Sequence, residues 1–210
     1  MSNACYMRCL RVSHAQTKRP RQNQQRLANR GTWMQRWRVP LGFACAALFF
    51  LLARPRSLTL IVGAVVALPG LALRAWAVGY LRKNEALATD GPYAYTRNPL
   101  YLGSFLIGLG FTLAAGRLIL GAVFAALFLG IYVPVMRVEA TTLAKLFGEH
   151  YRRYANSVPL FLPRLSPYRN AASERKKFDI GLYRRYREYR ALLGLIVAWA
   201  LLALRSFLFK

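Results

Sequence analysis

The chain has 210 residues, 56% of them apolar, and a formal net charge of +24. Its apolar residues are gathered into runs able to cross about 30 Å of hydrocarbon, which excludes an ordinary soluble domain. The basic excess comes without zinc-finger spacing, a recognition helix or an RNA-binding motif, so nucleic acid is not an expected partner; anionic lipid headgroups are.

Residues 1–36 contain no acid and many Arg, Gln and Asn. They read as a disordered basic tail preceding a membrane domain over 37–210. Cys5, Cys9, Cys45, His14 and His150 form no metal-ligand or disulfide pattern, and no metal is implied. Five spans are expected, at about 39–53, 58–81, 100–115, 118–136 and 191–209, which makes the fold all-α, a multi-pass transmembrane helical bundle. The first and third are short for a crossing, which takes about 17 residues or more. Only Gly116-Arg117 separates the third from the fourth, so these two form an antiparallel hairpin. Most of the 31 Lys and Arg fall on one side by odd–even counting. The positive-inside rule then makes the N-terminus and the main polar loops cytoplasmic.

The second span contains Pro69, expected to kink it, and Arg74, about 10 Å below its cytoplasmic end by helix rise. An arginine at that depth snorkels, pairs or binds a headgroup. Between the second and third spans lies a polar island, Asp90-Gly91-Pro92-Tyr93-Ala94-Tyr95-Thr96-Arg97-Asn98-Pro99-Leu100-Tyr101-Leu102-Gly103. Gly91-Pro92 is a turn. Asn98-Pro99 reads as an N-cap followed by proline at the first helical position, so the free N–H groups of the third helix point into the loop. Arg97 can hold a carboxylate with two hydrogen bonds, and Tyr93, Tyr95 and Tyr101 offer ring faces to a cation or an aromatic base.

The fourth span is expected to continue as an amphipathic helix to about Asn156. At 100° per residue, Glu139, Leu143, Leu146, Phe147, His150 and Tyr154 share one face, and Lys145–Glu149 and Glu149–Arg153 are spaced for ion pairs. Glu139 thus stands on the apolar side, where it can face a pocket shared with the island. Pro159 and Pro163 keep the following chain extended. Tyr183, Tyr186 and Tyr189, at three-residue spacing in a basic stretch, suit a helix on the membrane surface. A ligand with a carboxylate, a cationic centre, an aromatic base and a diol would suit the island and Glu139. S-adenosylmethionine is one such ligand, though these residues alone do not single it out.

Gly91-Pro92-Tyr93 followed by Arg97-Asn98-Pro99-Leu100-Tyr101-Leu102-Gly103 resembles the G-P-Y…R-[HN]-P-x-Y-x-G signature of the isoprenylcysteine carboxyl methyltransferase and phospholipid N-methyltransferase families. The stretch from Glu139 through Leu143, Phe147-Gly148, Tyr151 and Tyr154 resembles their E-E-x-x-L-x-x-x-F-G-x-x-Y-x-x-Y pattern, and Val158-Pro159 and Leu162-Pro163 their proline-containing tail. The resemblance covers about Leu73 to Pro163. It implies an integral membrane methyltransferase that uses S-adenosylmethionine, bound by Tyr93, Arg97, Asn98, Pro99, Tyr101, Gly103 and Glu139. The methyl group would go to a lipid-borne or prenylated acceptor at the cytoplasmic face. Arg74, Arg137 and Arg153 are candidates for binding that acceptor. An ammonium acceptor must first lose a proton and a carboxylate need not, which favours the carboxylate slightly. Two positions depart from the pattern. Ala140 replaces the second glutamate, and Asn98 stands where many relatives carry His. Two alternatives are an NADPH-dependent, sterol-reductase-like membrane enzyme and a non-catalytic protein of the same fold.

Overall fold

The computed structural model describes residues 47–82, 86–169 and 177–208. The chain divides into two units, Met1–Phe49 and Phe50–Lys210. The basic tail and most of the first expected span lie outside the described residues. All regular structure in the second unit, among the described residues, is helical.

Helix α1 (Ser57–Val78) opens where the backbone N–H of Arg56 donates to Thr59 Oγ1 at 2.9 Å, and it runs through Pro69 without interruption. A 3-10 turn (Gly91–Ala94) leads to α2 (Pro99–Ala115). Gly116, at φ 66°, turns the chain in the left-handed region that a side chain rarely adopts, and α3 (Leu118–Leu127) follows at once. The expected hairpin is therefore present. A five-residue π segment (Phe128–Tyr132) joins α3 to α4 (Val133–Ser157). The resulting 40-residue run, 118–157, is kinked at Gly148 (φ 53°, ψ −125°) and ends within a residue of the expected position. After a non-helical return come α5 (Ile180–Arg185) and α6 (Tyr189–Leu208).

Three of these helical runs are long and apolar enough to cross a membrane: Ser57–Val78, Leu118–Ser157 and Tyr189–Leu208. Pro99–Ala115 is a shorter apolar helix. Of the five expected spans, three correspond to full-length helices and one to a short helix among the described residues, and most of the first lies outside them.

The most extensive helix pair is α1 with α2. In lipid, apolar side chains gain little by leaving the solvent, so close backbone approach drives association. Small residues make that approach. A Cβ on Gly110 would lie 2.5 Å from the Gly63 carbonyl oxygen, and one on Gly70 would lie 2.6 Å from that of Gly103. Helix α6 runs antiparallel to α1. Its start is tied to α1 by an Arg74–Glu188 ion pair, and near its end Arg205 Nε donates to the Ala53 carbonyl at 2.8 Å.

Two helical faces differ from expectation. On α4 the residues packed inward are Ala140, Leu143, Ala144, Phe147, Tyr151, Tyr154 and Ala155, with Val158 just past its end, while Leu146 and His150 are exposed. The inward positions before Gly148 are 140, 143, 144 and 147; the non-helical backbone at Gly148 resets the phase beyond it, so the face expected at 100° per residue does not carry across. Glu139 therefore flanks the apolar face and is exposed rather than lying within it. The ion pair on the outer face is Arg152–Glu149 at 3.0 Å, not Lys145–Glu149 or Glu149–Arg153. The tyrosine-spaced stretch near the C-terminus is not one surface helix. It is broken between α5 and α6, where Arg187 has φ 55°.

Candidate active site at the start of α2

The island folds as a 3-10 turn because Gly91 takes φ 59°, which only a residue without Cβ adopts at low cost, and because the Tyr80 ring would lie 2.6 Å from any Cβ there. Pro92, Tyr93, Ala94 and Thr96 are buried. A strap running from Val158 to Tyr168 lies along this turn. Arg97 N donates to the Pro159 carbonyl, Arg164 N to that of Tyr95 and Tyr168 N to that of Ala94, at 3.0, 2.9 and 2.8 Å. Thr96 Oγ1 donates to the Phe161 carbonyl at 2.9 Å.

Asn98 takes the N-cap position and Pro99 the first helical position, as expected, but the Asn98 side chain does not cap the helix. Its amide nitrogen donates to the Leu160 carbonyl at 2.8 Å. The side chain is thus used to fasten the strap, and the N–H groups of the first turn of α2 are left without a side-chain acceptor from Asn98.

The island meets α4 through tyrosines. Tyr101 Oη donates to Glu139 Oε2 at 3.1 Å. Arg97 Nη1 donates to Tyr151 Oη at 3.3 Å, and Tyr154 Oη donates to the Tyr93 carbonyl at 2.7 Å. Arg97 and Glu139 are thus each bonded to a tyrosine rather than to each other. Below them, the Tyr101 ring meets Tyr132 and the Tyr132 ring stacks on Phe128, with centroids 5.7 and 4.8 Å apart. The π segment at 128–132 thereby sets where Tyr101 sits.

Among the described residues, Tyr93 Oη and Arg97 Nε are buried without a hydrogen-bond partner. A buried polar group left unbonded costs about 1–3 kcal/mol, so such atoms mark a place where a ligand can bond. Burial pushes the Tyr93 phenol well above its ordinary range. The Glu139 carboxylate pushes the same way, and then Tyr186, while Arg74 opposes them. Tyr93 is neutral at physiological pH and keeps its proton as a donor.

Arg74 neither snorkels nor stands free. Its Nε donates to Glu188 Oε1 and its Nη1 to Ser104 Oγ, both at 2.6 Å. Its Cγ covers Gly103, where a Cβ would come within 2.6 Å of it. Gly103 is therefore a point of close helix contact that lets Arg74 pass beside α2. Arg137 and Arg153 are exposed on α4. Glu188 and Ser104 are site neighbours that the sequence did not mark, while Tyr151 stood in the family pattern and Tyr186 in the tyrosine spacing without a role at the site. Nothing in the local pattern marked Glu188, which reaches Arg74 across 114 positions of chain. The left-handed backbone at Arg187, which costs a non-glycine residue about 1–2 kcal/mol, stands immediately before Glu188.

The family model of phospholipid methyltransferases matches residues 56–150, which hold α1, the island, α2 and α4 as far as His150. Residues 56–150 belong to the phospholipid methyltransferase family. The strap, α5 and α6 lie beyond this phospholipid methyltransferase domain. With its apolar helices, the domain identifies an integral membrane protein. The chain is similar to the cobalt-zinc-cadmium resistance protein CzcN of Cupriavidus metallidurans, with 38% identity over 147 residues, 65% of this chain and 66% of that one. It is similar to the nickel-cobalt-cadmium resistance protein NccN of Alcaligenes xylosoxydans xylosoxydans, with 35% identity over 102 residues, 48% of this chain and 47% of that one. The protein-S-isoprenylcysteine O-methyltransferase of Schizosaccharomyces pombe is 32% identical over 81 residues, 39% of this chain and 34% of that one. The chain thus spans just under two thirds of the first relative, about half of the second and about a third of the third. No solved structure matches the chain.

Proposed function

We propose that the chain transfers a methyl group from S-adenosylmethionine to a lipid-borne or prenylated acceptor at the cytoplasmic face of the membrane. The observation that carries this reading is the pair of unbonded buried groups, Tyr93 Oη and Arg97 Nε, in the loop that begins the family signature and beside the Tyr101–Glu139 bond. These residues fit the cofactor in kind. Arg97 and the uncapped N-terminus of α2 would hold its carboxylate. Tyr93 and Tyr101 would offer a donor and a ring face, and Glu139 would accept from its hydroxyls or offset its sulfonium charge. When bound, S-adenosylmethionine supplies an electrophilic methyl group.

The part left to the chain is alignment. Tyr101 holds Glu139, the strap holds the Arg97 backbone, and burial keeps Tyr93 protonated. Fixing the partners in one geometry lowers the barrier by saving entropy. An amine acceptor would also require a base, and His150 is exposed, off the inward stripe of α4. A carboxylate acceptor is slightly favoured for that reason. Arg137 and Arg153, both exposed, would draw an anionic acceptor or headgroup to the rim, whereas Arg74 is already neutralised by Glu188. The names of two relatives add a setting, resistance to cobalt, zinc, cadmium or nickel, which this chain would serve by modifying such an acceptor.

Isothermal titration of the full chain with S-adenosylmethionine and with NADPH tests the proposal. Binding of S-adenosylmethionine supports it. Binding of NADPH alone would turn the assignment to a reductase, and binding of neither to a non-catalytic protein.

A further inference from the structure

A slot of about 390 Å³ lies between α1 and the C-terminal segment, with none of Tyr93, Arg97, Tyr101 or Glu139 in its lining. Leu68, Ala72 and Ala75 of α1 and Leu192 of α6 form its apolar walls, with Tyr183 and Glu188 at its polar end. Both helices are among those able to cross a membrane, so the slot is bounded by surfaces suited to hydrocarbon. Its volume is at the small end of the ~300–1,000 Å³ usual for ligand sites.

Basic residues crowd the chain next to the slot's polar end. Glu188 is the charged group lining the slot, and Arg74 neutralises it at 2.6 Å. The other acid of this stretch, Asp179, accepts from Gly181 N at the start of α5. Arg184, Arg185, Arg187 and Arg190 flank Tyr183 and Glu188 in the chain and are all exposed. Arginines at the end of a membrane helix attract anionic headgroups.

We propose that this slot binds one hydrocarbon chain of an anionic membrane phospholipid, with its phosphate held by the arginines of residues 184–190. The residues that build it come from α1 and from the segment beyond the phospholipid methyltransferase domain. The slot thus joins the matched domain to the segment that follows it, and its occupancy by lipid stands whether or not the methyl-transfer reading does.

The test is native mass spectrometry of the full chain in mild detergent. It is titrated with oleoyl lysophosphatidylglycerol, with oleoyl lysophosphatidylcholine and with glycerol phosphate. Expected is one saturable equivalent of the phosphoglycerol lipid, held at least about tenfold more tightly than the choline lipid, and no binding of glycerol phosphate. Ala72→Trp and Leu192→Trp fill the slot from opposite walls. Each should weaken lipid binding at least about tenfold while thermal unfolding stays close to wild type, and either variant suffices if the other folds poorly. Arg184→Gln with Arg190→Gln should remove the headgroup preference and keep the chain binding. Equal lipid binding in both tryptophan variants, or equal affinity for the two headgroups, overturns the proposal. Glycerol phosphate binding as tightly as the lipid overturns it too, by showing an anion site without a chain seat.

Discussion

Tyr101 in the first turn of α2 and Glu139 in the second turn of α4 are joined by a 3.1 Å hydrogen bond, although 38 positions separate them. Glu139 is exposed, so this bond orients a carboxylate more than it stabilises the fold. Tyr101→Phe should leave thermal unfolding within a degree or two of wild type. By loss of one bond of about 1 kcal/mol it should weaken S-adenosylmethionine binding several-fold in isothermal titration. Glu139→Ala should weaken it further. Normal binding in both variants would remove Glu139 from the site.

Arg97 is held in place by its backbone bond to Pro159, so its side chain can be removed without releasing the strap. Arg97→Ala should abolish measurable cofactor binding while expression and unfolding temperature change little. Arg97→Lys should recover part of it, since a lysine keeps the charge and loses the two-pronged geometry. A titration indistinguishable from wild type in Arg97→Ala would contradict the assignment.

Tyr93 has a raised pKa caused first by burial and next by Glu139. Because the folded value lies above the unfolded one, about 10, the stabilisation is fully present below pH 10 and is lost as pH rises through the folded value. The tyrosinate absorbance of wild type and Tyr93→Phe should therefore coincide near pH 10 in the folded protein. A deficit of about half a tyrosinate in the variant would show that Tyr93 titrates normally, since a phenol of ordinary value is half ionised at that pH.

The contact of α1 with α2 has no room for a methyl group at Gly110, where a Cβ would meet Gly63 O at 2.5 Å and Ala67 Cβ at 2.7 Å. Gly110→Ala should cost about 1–3 kcal/mol and lower the unfolding temperature in detergent. Gly130→Ala is the control, since nothing lies within 4 Å of the added carbon there. Equal melting of the two variants would mean that the helices do not approach as closely as described.

Glu188 and Arg74 are both largely shielded, with side-chain exposures of 10% and 24%. Removing one partner strands the other in a poorly hydrated place. Glu188→Ala should lower the unfolding temperature, and Arg74→Met with Glu188→Ala should recover part of the loss. An additive double variant would show that the pair is not coupled.

Much of the chain was legible from its residues. Long apolar runs marked α1, α3 and α6 because a helix in lipid must be apolar over its whole length. The Gly116-Arg117 step marked the hairpin, because a left-handed glycine ends a helix and two residues leave no other route. The signature residues Tyr93, Arg97, Tyr101 and Glu139 were marked by order and spacing, and they do meet α4 or the island. What the tertiary structure alone decided were choices between chemically equal options. Tyr151 rather than His150 turns inward because the backbone leaves the helix at Gly148, just before both, and breaks the 100° phase. The Asn98 amide bonds the strap instead of its own helix because Leu160 comes within 2.8 Å. Glu188 rather than a headgroup meets Arg74 because the break at Arg187 sends the chain back across α1. Periodicity reports which side of a helix is apolar over a few turns. A bond between residues 62 or 114 positions apart depends on where the whole chain returns, and no local pattern carries that.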